Sequence, residues 1–311
     1  MACWAVSIPD YVTSVREGAF YDCRSLSNAT IGVSITIIVE NTFYGCTALA
    51  SVTIPNSVTS IRNQAFMSTS LPSIVDGWLL RTSSTCPNGT IPNSVKHISD
   101  YAFYQCRSLT KVTMADSVIS VGNYGFQESG VASVIIGNSV TTIGIQAFYQ
   151  CRNLTMVYIS DKVTSLGMSA FQESGLTTVQ IGRSVVSIAS KAFRDCKSLK
   201  SVHILGESLT SIGTESFYGC ASLILVNIPS SVESIASNAF DRCHTDLVCD
   251  KACIPPMFAQ SNSVKGPGGC THGFASQFRT IQLCRVYSGQ IQKIQPYQFD
   301  HRRRIGTALH K

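Results

Sequence analysis

Thirteen cysteines and six histidines are the residues of this chain best suited to chemistry. Thiolate and imidazole are the usual ligands of zinc, and a thiol beside an imidazole is the start of a nucleophile. Cys249-x-x-x-Cys253 with His244 and His272 could be drawn as a zinc site. The spacing misses the usual ligand pairs, however, and Pro255-Pro256 and Gly266-Pro267-Gly268-Gly269 between the candidates read as loop. Metal and cofactor are therefore both expected to be none. Four of the six histidines (His244, His272, His301 and His310) lie beyond residue 243, and neither a Gly-rich phosphate loop nor His-Glu-x-x-His occurs. The chain reads as a non-enzyme without catalytic residues. Seven cysteines, Cys23, Cys46, Cys106, Cys151, Cys196, Cys220 and Cys243, each follow a phenylalanine by three residues. A position repeated in this way is expected to hold a small buried hydrophobe. Units with Ser in that place separate several of these thiols by more than the ~7 Å between Cα atoms that a disulfide can span. Cys3, Cys86, Cys249, Cys253, Cys270 and Cys284 have no such frame, and for the tail cysteines paired, free and metal-bound states stay open.

The elements that position these thiols are set by the phenylalanines. Phe20, Phe43, Phe66, Phe103, Phe126, Phe148, Phe171, Phe193, Phe217 and Phe240 recur at steps of 22 to 24 residues, with one step of 37 between Phe66 and Phe103. A fixed period of 20 to 30 residues marks a solenoid, because a single unit cannot bury its apolar face until the next one stacks on it. After Phe148 the unit reads Leu154, Val157, Ile159, Val163, Leu166, Phe171. Val and Ile two apart point to one side of a short strand, with their neighbours on the other side. The second apolar pair, three apart, predicts a tight arc on the opposite wall, and Ala-Phe plugs the interior at a turn. One strand per turn would give one continuous parallel sheet. Ala102 to Arg107 recurs unchanged at Ala147 to Arg152, and Phe126 to Gly130 at Phe171 to Gly175, so two-unit blocks were copied together.

These residues resemble the BspA-like leucine-rich-repeat family, whose unit has the form Leu-x-x-Leu-x-Leu-Pro-x-x-Leu-x-x-Ile-x-x-x-Ala-Phe-x-x-Cys. Leu49, Val52, Ile54, Pro55, Val58, Ile61, Ala65 and Phe66 follow it, as do Phe217, Cys220 and Leu223. The resemblance covers roughly residues 3–243. It implies a repeat solenoid, mainly β: a right-handed leucine-rich-repeat array of about ten units with a parallel sheet on one face, used in adhesion or protein recognition. It supplies no catalytic residues. The expected domains are a solenoid at 1–243, with a longer variant unit at about 67–103 around Asp76-Gly77-Trp78-Leu79-Leu80, and a basic Cys/Gly/Pro-containing tail at 244–311. Leu283, Val286, Ile291, Ile294 and Phe299 echo the repeat and suggest a degenerate last unit at 283–299.

Charge is distributed unevenly. Residues 1–243 hold 15 Lys or Arg and 15 Asp or Glu, whereas 244–311 hold nine and three, so the net +6 belongs to the tail. A neutral array argues against nucleic acid as its ligand. No apolar run reaches the 18 or more residues of a membrane span, and Val6, Ile8, Val12 and Val15 enter the repeat pattern where a leader would stand. That pattern is read either as an intracellular protein or as an incomplete start; the family resemblance points to the cell surface or to secretion. Asn28-Ala-Thr30, Asn88-Gly-Thr90 and Asn153-Leu-Thr155 fit the glycosylation sequon and matter only for a secreted chain.

A partner is expected on the outward columns of the sheet. One runs Thr53, Thr113, Ile135, Tyr158, Gln180, His203 and Asn227; the other runs Ser51, Lys111, Ser133, Met156, Thr178, Ser201 and Leu225. Lys111, Ile135, Met156, Tyr158, Gln180, His203, Leu225 and Asn227 are the candidate contacts, with Ile135, Met156 and Tyr158 the largest apolar cluster. Phe103, Phe126, Phe148, Phe171, Phe193, Phe217 and Phe240, with Cys106, Cys151, Cys196 and Cys220, are the expected repeat core. The expected function is a protein- or glycan-binding module for cell-surface adhesion or recognition. The alternative is an intracellular scaffold whose basic tail, including His301-Arg302-Arg303-Arg304, supplies a targeting contact. The identity of the ligand and the oligomeric state are not legible.

Overall fold

A computed structural model describes residues 4–87 and 89–243, together with the backbone of Val248–Asp250, Ile281–Tyr287 and Gln290–Lys293. Among these residues there is no helix, and so none long and apolar enough to cross a membrane. The chain winds as a parallel β solenoid.

Each turn has a wall built on the Val-x-Ile pair. Lys111–Met114, Met156–Ile159, Thr178–Ile181 and Ser201–Ile204 alternate in burial, with Val112, Val157, Val179 and Val202 inside and their neighbours outside. Register is strict: Met156, Val157, Tyr158 and Ile159 lie opposite Thr178, Val179, Gln180 and Ile181, and those opposite Ser201, Val202, His203 and Ile204. Any one-residue slip would turn the Val column to water, which holds the ladder in place.

The opposite wall differs from the sequence expectation. Instead of a bare arc, it carries a second parallel ladder of two-residue strands, such as Ser120–Val121 opposite Thr142–Ile143 opposite Ser165–Leu166. Regular turns from Asn28–Thr30 onward therefore carry a strand on each wall. The Ile or Leu points in and the Ser or Thr points out, giving a small polar column outside.

Phenylalanine occupies the third side. Phe103, Phe126, Phe148, Phe171, Phe193, Phe217 and Phe240 are all fully buried, and successive rings stack nearly parallel at 4.6 to 5.4 Å. The residues two before and two after Phe sit in the left-handed region even when they are not glycine, as at Gln146 (φ 52°) and Gln150 (φ 54°). That conformation is unfavourable for an L residue, and hydrogen bonding offsets it. In the regular turns the N–H groups of Phe−2, Phe and Phe+2 donate to the next turn, as Gln146, Phe148 and Gln150 do to Met168, Ala170 and Gln172 at 3.0, 2.7 and 2.9 Å.

Units with Ser after Phe are one residue shorter before the next apolar residue, so Leu176 follows Phe171 where Leu154 follows Phe148 by one step more. Glycine takes up the difference: a Cβ on Gly130 or Gly175 would lie 1.9 Å from the Arg107 carbonyl oxygen or 2.0 Å from that of Arg152.

The degenerate last unit expected at 283–299 lies in part outside the described residues. Val248–Asp250 adds a parallel strand beside Leu225–Val226, then Ile281–Tyr287 pairs with it antiparallel and with Gln290–Lys293 antiparallel.

Candidate functional site

Among the described residues the buried free thiols face main-chain carbonyls. Cys46, Cys151, Cys196, Cys220 and Cys243 each donate to the carbonyl oxygen of the Phe one turn earlier, at 3.0 to 3.1 Å. Ser129 and Ser174 occupy the equivalent place and reach the thiols of Cys151 and Cys196 at 3.5 and 3.3 Å. Burial is the main cause that raises these thiols, Cys46 to about 11 and Cys151, Cys196 and Cys243 to about 12. A thiol held protonated in this way is a poor nucleophile.

The seven positions are not equivalent. Cys46, Cys106, Cys151, Cys196 and Cys220 are buried, Cys243 is half-buried and Cys23 is exposed. Cys23 belongs to the Phe20 turn, and no Phe carbonyl among the described residues receives it. Native alkylation followed by peptide mapping should therefore label Cys23 at least ~100-fold faster than Cys46, Cys151, Cys196 or Cys220. Equal labelling would mean that the repeats open freely.

Cys106 is buried but not free, since it forms a disulfide with Cys86, 20 residues earlier, with Cα atoms 5.7 Å apart. Spacing holds the repeat cysteines apart from one another, but the longer unit supplies Cys106 with a partner from outside the repeat positions. That unit opens with a hairpin: Ile74–Val75 pairs antiparallel with Trp78–Leu79. Asp76 (φ 45°) and Gly77 (φ 83°) make its turn, the Asp-Gly signature of a two-residue hairpin loop. Asp76 Oδ2 accepts the Ile54 N–H at 2.8 Å, and Trp78–Leu79 pairs with His97–Ile98, stacking Trp78 on His97 at 4.6 Å. The hairpin stands between two separate apolar cores, Trp78 and Leu80 packing with the N-terminal one and Leu79 with the C-terminal one.

On the sheet face, Lys111, Ile135, Met156, Tyr158 and Gln180 are exposed, while His203, Leu225 and Asn227 are half-buried. Met156 is 62% exposed, Ile135 53% and Tyr158 39%, on neighbouring strands. Burial and the Asp161 carboxylate raise the Tyr158 phenol, which donates to Asp161 Oδ1 at 3.2 Å. Asn227 is committed within the fold: its amide accepts from Ile204 N–H at 2.6 Å and donates to Ile204 O at 2.7 Å, extending the ladder where the backbone strand stops. Of the sequons, Asn28 and Asn153 are exposed and Asn88 lies outside the described residues. Among the described residues no cluster of His, Cys, Asp or Glu could hold a metal. The side chains of His244, Cys249, Cys253, His272 and the basic run at 301–304 lie outside them.

A family profile described as "BspA type Leucine rich repeat region" matches six times, over residues 3–77, 81–200 and 186–248. No curated protein matches the chain. Among solved structures, a leucine-rich repeat protein from Bacteroides ovatus is 28% identical, covering 77% of this chain and 76% of its own, at a TM-score of 0.45. One from Eubacterium ventriosum is 19% identical over 77% and 82%, also at 0.45. A leucine rich cell surface protein from Faecalibacterium prausnitzii is 23% identical over 76% and 79%, at 0.30.

Proposed function

The chain belongs to the BspA-type leucine-rich-repeat family, and on that premise we propose that it is a non-enzymatic recognition module, displayed at a cell surface, that takes a protein or glycan ligand on its Val-x-Ile sheet face. The observation that carries this reading is the joint exposure of Ile135, Met156 and Tyr158 on a face otherwise made largely of Ser, Thr and amide side chains. The inward residues are nearly the same in every unit, so only the outward columns can distinguish one partner from another. Buried aromatic anchors dominate interface energetics, and Met adapts to irregular surfaces. The Cys86–Cys106 pair supports an oxidising compartment, where disulfides persist, over the intracellular scaffold.

The test is binding of the full chain to an array of glycans and extracellular matrix proteins, repeated with Met156→Ser and Tyr158→Ser together. Retained unfolding behaviour with at least ~10-fold weaker binding is expected, the loss of one anchor's worth of energy. Unchanged binding by the double variant, with loss on substituting the polar column of the opposite wall instead, would move the ligand off this face.

A further inference from the structure

The inserted unit leaves a site that the regular units do not have. In the Phe turns from Phe20 to Phe217, except that of Phe66, three N–H groups donate to the following turn. In the Phe66 turn only one does: Ser68 N–H reaches the Thr82 carbonyl at 2.8 Å, and the N–H groups of Gln64 and Phe66 find no acceptor among the described residues. The Phe stack is interrupted at the same place, running from Phe20 to Phe66 and resuming at Phe103. Between the two halves lies a cavity of about 330 Å³, lined among others by Arg62, Gln64, Phe66, Arg81, Asp100 and Tyr101.

Its electrostatics are those of an anion site. Arg81 donates to the carbonyl oxygens of Tyr104, Ser83 and Ser84 and has no carboxylate partner among the described residues. Arg62 meets Asp100 Oδ2 at 3.5 Å, while Asp100 also accepts the Asn123 backbone N–H at 2.8 Å and its amide at 3.4 Å. Arg62 is thus tied to Asp100, and the Glu40 carboxylate acts on Tyr101 at the cleft, whereas Arg81 faces no carboxylate among the described residues. With the two open N–H donors, the group missing from this cleft is an acceptor, and Arg81, without a carboxylate partner among the described residues, favours an anionic one. The side-chain amides of Asn63 and Gln64 on the rim have no hydrogen-bond partner within the described structure and can meet hydroxyl groups. The volume stands near the lower bound of small-molecule sites, about 300 Å³, which admits one ring-sized group and no folded element of a partner.

We propose that the cleft between the Phe66 and Phe103 turns binds a carboxylate-bearing sugar unit, such as a hexuronate or sialate residue. The carboxylate bridges Arg62 and the Gln64 and Phe66 N–H groups, within the field of Arg81, and the ring hydroxyls meet the rim amides. This site is separate from the sheet face, and either could exist without the other.

The test is calorimetric and saturation-transfer titration of the full chain with glucuronate, N-acetylneuraminate, glucose, acetate, the methyl ester of glucuronate and a short peptide with a free C-terminal carboxylate. Saturable binding of at least one acidic sugar is expected, with glucose, acetate and the ester each at least ~10-fold weaker. Arg62→Gln should weaken it by about tenfold, the loss of one charge-assisted contact, and Arg62→Lys should restore part of it, while the unfolding midpoint holds. The ester comparison needs no variant and stands even if Arg62→Gln fails to fold. The assignment is overturned by no saturation with either acid at 20-fold molar excess in the millimolar range, by equal binding of acid and ester, or by a folded Arg62→Gln chain that binds as the wild type does. Tighter binding of the peptide than of either sugar overturns the sugar assignment as well.

Discussion

Phe148→Ala should destabilise the central turns by about 3–5 kcal/mol, the cost of emptying a buried aromatic site. Phe148 is fully buried and lies between Phe126 at 4.9 Å and Phe171 at 5.1 Å, with interplanar angles of 1° and 3°. Its removal strips a face from both neighbours, and an aromatic contact contributes about 0.5–1.5 kcal/mol beyond its buried area. Relaxation into the gap is restricted because the Phe148 N–H is bonded to Ala170 O and the flanking left-handed residues are tied to the same next turn. In a solenoid the loss is felt mainly by adjacent turns, since each unit contacts only its neighbours. Urea unfolding followed by circular dichroism measures it, and Phe148→Leu, which keeps most of the volume, should cost less. A loss below about 1 kcal/mol for the alanine variant would mean that the Phe column contributes little to cohesion.

Phe66→Ala offers an internal comparison. Phe66 stacks on Phe43 at 5.3 Å and has no second stacked ring among the described residues, so its loss should cost less than that of Phe148. The same interruption separates the apolar core into two clusters, and unfolding transitions that split under denaturant would map that seam.

The repeat period, the Val-x-Ile wall and the outward columns were legible because they rest on burial, and burial writes itself into residue type at fixed spacing. The second ladder was less so. A two-residue strand such as Ser165–Leu166 shows one inward and one outward residue, too short a run to distinguish period two from a bend. The left-handed positions around Phe were hidden for a different reason. Glycine marks them at Gly18, Gly45 and Gly219, but Lys191, Glu215 and Arg242 adopt the same conformation. Inter-turn hydrogen bonds impose it from outside the local sequence. The cleft was illegible altogether, since it arises from two main-chain donors that lose their acceptors when 14 extra residues, the difference between steps of 37 and 23, enter between Phe66 and Phe103.

Cutting the Cys86–Cys106 bridge, by reduction or by Cys86→Ser, should lower stability by about 3 kcal/mol, the loop-closure contribution expected for a segment of this length. The bridge encloses 20 residues of sequence separation and secures the inserted unit to the first Phe turn after it. Cys106 differs from the other buried repeat thiols, which donate to a Phe carbonyl one turn back, in being bonded to a second sulfur. The loss should fall on the seam, raising hydrogen exchange across residues 62–105 and leaving the Phe148 to Phe217 turns protected. Non-reducing peptide mapping of protein taken from its source cells tests the premise, and the Cys86–Cys106 linked peptide is the expected product. Recovery of both cysteines as free thiols would remove the covalent argument for an oxidising compartment, and with it the main structural support for surface display over an intracellular scaffold.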